Sequence, residues 1–190
     1  MSRHGWLALS LSLLLAAAAP VRAEERVEAA DTNQDGKPDE WKIYDGQTLV
    51  RVERDRDGDG KREVRIILET VEVLPPEGGP PRRQQRAIRS EVDRNGDGKP
   101  DLVRWMKEGQ PDRERGDVNL DGRPDLWSYY RKGTKELTIM DKNHDGRPDA
   151  WFYYDPTGVR LSGGRVDENF DGTPDRTFGK VPEREDRQPW

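Results

Sequence analysis

A nine-residue pattern, Asp-x-Asn/Asp-x-Asp-Gly-x-x-Asp/Glu, recurs at Asp31, Asp55, Asp93, Asp117, Asp141 and Asp167. The six copies read DTNQDGKPD, DRDGDGKRE, DRNGDGKPD, DVNLDGRPD, DKNHDGRPD and DENFDGTPD, and successive starts lie 24, 38, 24, 24 and 26 residues apart. Self-similarity at such a period marks a repeat architecture, in which each unit buries its apolar surface against its neighbours rather than in one central core. The single long interval carries its excess mainly in residues 74–83, LPPEGGPPRR. Its Pro and Gly content reads as an enlarged connection rather than a further unit.

Between the Asp-rich stretches the chain has room for hairpins and not for helices. Glu40 to Tyr44 runs to a turn at Asp45-Gly46 and returns as Leu49 to Val52. The plan repeats as Leu126 to Tyr130 and Leu137 to Met140 around Gly133, and as Ala150 to Tyr154 before Pro156-Thr157-Gly158. Trp, Tyr, Ile and Val favour strands, and turn residues arrive well before the ~12 residues an isolated helix needs. The expected fold class is therefore all-β: tandem antiparallel β-hairpin repeats, a meander or solenoid-like array, linked by the Asp-rich loops and spanning 24–180.

Counted from the first Asp of each copy, position 11 is Trp41, Arg65, Val103, Trp127, Trp151 and Thr177, and position 13 is Ile43, Ile67, Trp105, Tyr129, Tyr153 and Gly179. Residues two apart share a strand face. Two readings of these aromatics stand open: a narrow core stacked along the array, or a strip that meets a ligand.

The repeated loop has the chemistry of a hard-cation site. A divalent ion of that kind takes six to eight oxygen ligands, which alternating carboxylates on a tight loop supply. In the first copy Asp31, Asn33 and Asp35 hold positions 1, 3 and 5, Gly36 allows the sharp turn, Lys37 offers its backbone carbonyl at 7, and Asp39 closes the set at 9. The corresponding sets are Asp55, Asp57, Asp59, Lys61 and Glu63; Asp93, Asn95, Asp97, Lys99 and Asp101; Asp117, Asn119, Asp121, Arg123 and Asp125; Asp141, Asn143, Asp145, Arg147 and Asp149; and Asp167, Asn169, Asp171, Thr173 and Asp175. The expected ion is Ca²⁺, bound with dissociation constants of about 10⁻⁴ to 10⁻³ M, as in extracellular modules. The second copy, with four acids, is expected to bind most tightly.

Positions 1 to 6 resemble the first half of an EF-hand loop. The second half departs from it, since Lys42, Ile66, Arg104, Ser128, Phe152 and Phe178 stand where the EF-hand has its bidentate Glu. With the acid at 9, the nonapeptide is similar to the calcium loops of FG-GAP and integrin-type repeats and, more distantly, of thrombospondin type 3 repeats. That resemblance covers the loops alone and implies an acid ligand at position 9. The Pro at position 8 in five copies suits a chain leading into a strand.

Composition decides why metal should matter. Residues 1–23, with Arg3 ahead of the apolar run Trp6 to Ala19, read as a secretory signal peptide. Without its Arg3 and Arg22 the remaining chain has 31 basic residues against 38 acids, a formal charge of −7. About a quarter of that remainder is apolar, below a typical globular domain, and it contains no cysteine, so an ion is the available staple. Each site at tenfold saturation would add about 1.4 kcal/mol, or about 8 kcal/mol over six.

The mild acidic excess argues against a nucleic-acid partner. No stable membrane span is expected after signal cleavage. His144, at a non-ligating loop position, is the one histidine outside the leader, and no catalytic constellation is visible. The chain thus reads as an exported, periplasmic or secreted, calcium-binding repeat protein with a structural or interaction role. Its expected partners are calcium and an extracytoplasmic protein or a glycan, the glycan reading drawing on exposed Trp and Tyr. Residues 181–190 read as a flexible tail.

Overall fold

The structure, a computed structural model, describes residues 25–183, 187, 189 and 190; the expected leader lies outside them. It is all-β. Twelve strands follow one another as β1 (Glu25–Ala30), β2 (Glu40–Asp45), β3 (Thr48–Arg54), β4 (Val64–Val73), β5 (Arg82–Val92), β6 (Leu102–Lys107), β7 (Gln110–Gly116), β8 (Leu126–Arg131), β9 (Thr134–Met140), β10 (Ala150–Tyr154), β11 (Leu161–Val166) and β12 (Arg176–Gly179). They form one antiparallel sheet in chain order, and each strand packs substantially only on the strands before and after it. The expected hairpin array is therefore a flat-order meander with two free edges, β1 and β12.

Two kinds of connection alternate. Two-residue turns join β2 to β3, β6 to β7 and β8 to β9, with longer connections after β4 and β10; the six Asp-rich loops join odd strands to even ones, so all six lie along the same margin of the sheet. The turns carry the chemistry their geometry demands. Glu108-Gly109 and Lys132-Gly133 both have positive φ (53° and 77°, 48° and 78°), the type I′ conformation whose twist matches that of the strands it joins. A register shift follows position 13 in five of the repeats, at Ile43, Ile67, Trp105, Tyr129 and Tyr153, and such bulges add twist to a long sheet. The long interval is absorbed mostly by strand: β4 and β5 have 10 and 11 residues, and residues 82 and 83 of the expected connection belong to β5.

The register is continuous across the Asp-rich loops, so residues at one height line up from edge to edge. One row passes through Trp41, Glu53, Arg65, Glu91, Val103, Arg115, Trp127, Ile139, Trp151 and Arg165; two residues further from the loops a second passes through Ile43, Arg51, Ile67, Arg89, Trp105, Arg113, Tyr129, Leu137 and Tyr153. Both rows lie on one face, here called the tryptophan face. Positions 11 and 13 do share that face, as the sequence pattern requires, but the odd strands insert Arg and Glu between them over half its length.

The apolar core sits on this face towards the C-terminal end: Trp127, Leu137, Ile139 and Tyr153 are buried, with Tyr129, Trp151, Val181 and Trp190 packed against them. The opposite face has smaller buried groups, Ser128 and Thr138 among them, joined hydroxyl to hydroxyl at 3.1 Å. Within the segment read as a flexible tail, Val181 and Trp190 lie on the core, and Arg187 reaches Glu136 at 2.9 Å.

Candidate metal centres

Every loop curls in the same way because its carboxylates collect backbone N–H groups. The Gly at position 6 has φ between 87° and 93° in all six copies, a conformation that a Cβ would strain. Its N–H donates to Oδ2 of the position-1 Asp at 2.7–2.8 Å throughout. The position-7 residues Lys37, Lys61, Lys99, Arg123, Arg147 and Thr173 each donate their N–H to the position-5 Asp at 2.8–2.9 Å. The acid at position 9 turns back to accept from position 2, as in Arg94 N–H to Asp101 Oδ2 at 2.6 Å and Arg56 N–H to Glu63 Oε2 at 2.8 Å. Residues 1, 3, 5 and 9 of each copy are thereby gathered inside one loop. These bonds hold several carboxyls below the ordinary carboxylate range: the Thr32 hydroxyl does so for Asp39, and the backbone N–H of Lys61 and of Arg123 for Asp59 and Asp121.

The bases of the loops form a ladder of their own. The position-1 N–H of one loop donates to the position-9 carbonyl of the loop before it, from Asp55 to Asp39 at 3.0 Å through Asp167 to Asp149 at 2.7 Å. Acids of neighbouring loops are thus brought side by side, and those inside the array, Asp101, Asp117, Asp125, Asp141, Asp149 and Asp167, are nearly removed from solvent. Their charges are met by backbone N–H groups. Side chains also cross between loops: His144 Nδ1 lies 3.4 Å from Asp125 Oδ2, and Lys61 Nζ lies 3.5 Å from the Gly96 carbonyl.

The second loop differs from the other five. Where Asn stands at position 3, its amide donates to the position-5 carboxylate, at 3.3 Å from Asn33 to Asp35 and 3.1 Å from Asn119 to Asp121. An N–H there does part of a cation's work. Asp57 has no such donor, and Asp55, Asp57, Asp59 and Glu63 each bring one carboxylate oxygen within 4.8 Å of the others. It is the one place among the described residues where three or more acidic or imidazole ligands converge so closely. Glu63 Oε1 is buried with no hydrogen-bond partner, and the Lys61 ammonium reaches Asp59 only at 3.5 Å. Four like charges at this distance, one with an orphaned oxygen, fit a cation bound by oxygen ligands. This cluster could hold a metal ion.

Sequence reasoning located all of these residues but not the role of the Asn amide nor the pairing of acids between loops. The first depends on how one side chain turns, the second on register across a loop longer than a tight turn. No family model matches the chain, and neither the curated proteins nor the solved structures compared with it include a match.

Proposed function

We propose that this chain is an exported calcium-binding repeat module, in which Ca²⁺ braces the loop margin of a lean β-sheet and the sheet itself serves a structural or interaction role without catalysis. The observation that carries the reading is the four-acid cluster of the second loop. Backbone N–H groups and the Lys61 ammonium meet part of the charge of Asp55, Asp57, Asp59 and Glu63, and a divalent cation held among their converging oxygens would meet the rest. Preference for calcium follows from the all-oxygen donor set and from a loop that curls on glycine rather than on a rigid frame. The other five loops keep the same curl, with an Asn oxygen in place of one carboxylate, and are weaker sites of the same kind. The non-catalytic reading draws on the absence of cysteine and on the one described histidine, His144, lying against a loop carboxylate, Asp125.

Calorimetric titration of the purified protein with calcium tests this directly. Binding of several ions is expected, the tightest at the second loop, and Asp57→Asn should lower that site about tenfold towards the others, since it restores an amide donor and removes one charge. A titration with no heat, or a tightest site untouched by Asp57→Asn, would overturn the assignment.

A further inference from the structure

The charges of the sheet are unequally divided between its faces. In the two rows of the tryptophan face nearest the loops stand six arginines, Arg51, Arg65, Arg89, Arg113, Arg115 and Arg165, against two acids, Glu53 and Glu91. The corresponding rows of the opposite face carry Lys42, Arg54, Arg104 and Arg176 against Glu28, Glu40 and Glu114, close to balance. A chain of net charge −5 has thus placed its acids along the loop margin and an excess of guanidinium on one face.

That excess is ordered. Along one row the sequence across β3 to β8 is Arg51, Ile67, Arg89, Trp105, Arg113, Tyr129, cation alternating with apolar group. Arginines on every second strand stand about 9.6 Å apart, twice the spacing of neighbouring strands. Around Trp105 three guanidiniums gather, Arg89, Arg113 and Arg115, at 5.4, 5.3 and 5.7 Å from the ring centroid. Arg89 has Glu91 as a partner at 2.6 Å; among the described residues Arg113 and Arg115 have no carboxylate within ion-pair distance. Arg113 is exposed and also lies over the ring of Trp190, which meets Trp105 in a T-shaped contact.

We propose that this face binds an acidic polysaccharide laid across the strands, with Arg113 and Arg115 taking its carboxylates and the Trp105–Trp190 pair meeting the apolar faces of its sugars. Guanidinium matches carboxylate geometry in a bidentate fork. The proposal stands on the face and not on the loops, so it does not depend on calcium being the bound ion. Charge density selects the partner: duplex nucleic acid presents a charge about every 1.7 Å, whereas a polymer with a carboxylate only on every second sugar is sparse enough for the two guanidiniums of β7 that are unpaired among the described residues, since Arg51 and Arg89 of the row are held by Glu53 and Glu91.

The probe is a hyaluronan oligosaccharide of ten sugars, compared by calorimetry with a neutral chitin oligosaccharide and with single-stranded DNA of equal charge. Runs in calcium and in chelator, each with a circular dichroism spectrum, separate loss of fold from loss of binding. Hyaluronan should bind, chitin oligosaccharide should not, and the double variant Arg113→Ala, Arg115→Ala should weaken binding at least about tenfold with its spectrum unchanged. Neither substitution strands a buried acid. Lys42→Ala with Arg54→Ala, on the opposite face, should leave binding as it was. No binding of hyaluronan by the folded protein, equal loss in the opposite-face variant, or tighter binding of the DNA would overturn the proposal.

Discussion

Strands β3 to β7 and strands β8 to β10 share one backbone plan and the same Asp-rich loops, yet they fill the tryptophan face by different chemistry. In the first region buried Glu53 is bridged by Arg51 at 2.8 Å and Arg62 at 2.7 Å, and buried Glu91 by Arg65 at 3.0 Å and Arg89 at 2.6 Å. In the second, Leu137 and Ile139 are fully buried between Trp127 and Tyr153. With the exception of Arg65 on β4, the even strands supply apolar residues to this face in both; the odd strands make the difference, TLVRVER and QPDRERG against TKELTIM. A meander whose strands touch only their neighbours can change its interior from one hairpin to the next, because no central core forces a common solution.

The comparison breaks most directly at the apolar end. Leu137→Ala or Ile139→Ala removes a side chain with no exposed surface and should cost about 2–5 kcal/mol, read as a fall in the denaturant midpoint by circular dichroism. A loss below about 1 kcal/mol, the scale of a surface substitution, would show that the C-terminal cluster is not a packed core.

Glu53→Ala tests the other region and should cost less, about 1–2 kcal/mol. Burial alone would push the Glu53 carboxyl up, but the hydrogen bond from Arg62 and the charges of Arg51 and Arg62 outweigh it and hold it below the ordinary range. Once the acid is gone, Arg51, Arg62 and Arg65, with side chains 34%, 44% and 46% exposed, can turn to water. The full penalty of an unpaired buried charge is then avoided. Because the Debye length falls to about 3 Å at 1 M salt, adding salt should narrow the gap between wild type and Glu53→Ala while leaving that of Leu137→Ala unchanged. Equal salt response in both variants would erase the distinction between the regions.

Why one region was legible in the sequence and the other was not follows from the same residues. Strand positions, turns and the loop ligands are written locally: Gly109 and Gly133 mark their turns, Gly36 and its equivalents mark theirs, and Trp127 and Tyr129 lie two apart. What the odd strands place beside them depends on register carried across a nine-residue loop, and a one-residue slip would move Arg113 and Arg115 to the opposite face. The ladder from Asp117 N–H to the Asp101 carbonyl at 2.7 Å and its counterparts fix that register, and nothing in the spacing of the copies reports it. The same holds for Trp190: its sequence surroundings are polar, and only the folded sheet brings it to Trp105.

The smallest expected effect lies at the N-terminal edge, where a strand exposed along its whole length is held by its backbone ladder to β2 and by side-chain charge. Glu28 of β1 accepts a hydrogen bond from the Tyr44 hydroxyl at 2.9 Å and is paired with Arg26. The Tyr44 bond first, and then Arg26, hold its carboxyl below the ordinary value, and the same contact raises the Tyr44 phenol. A carboxyl lowered on folding contributes stability that is fully present above its unfolded pKa, about 4.3, and lost as pH falls through the folded value. Protection of the β1 amides, taken relative to their intrinsic exchange at each pH, should therefore fall below about pH 4.3, ahead of that at Leu137 and Ile139 of β9, which are buried in the apolar cluster with Trp127 and Tyr153. Glu28→Gln should exchange faster in β1 at neutral pH and show a smaller further step on acidification. If β1 and β9 open together at the same pH, the edge is not held by this contact and the sheet yields to acid as a single unit.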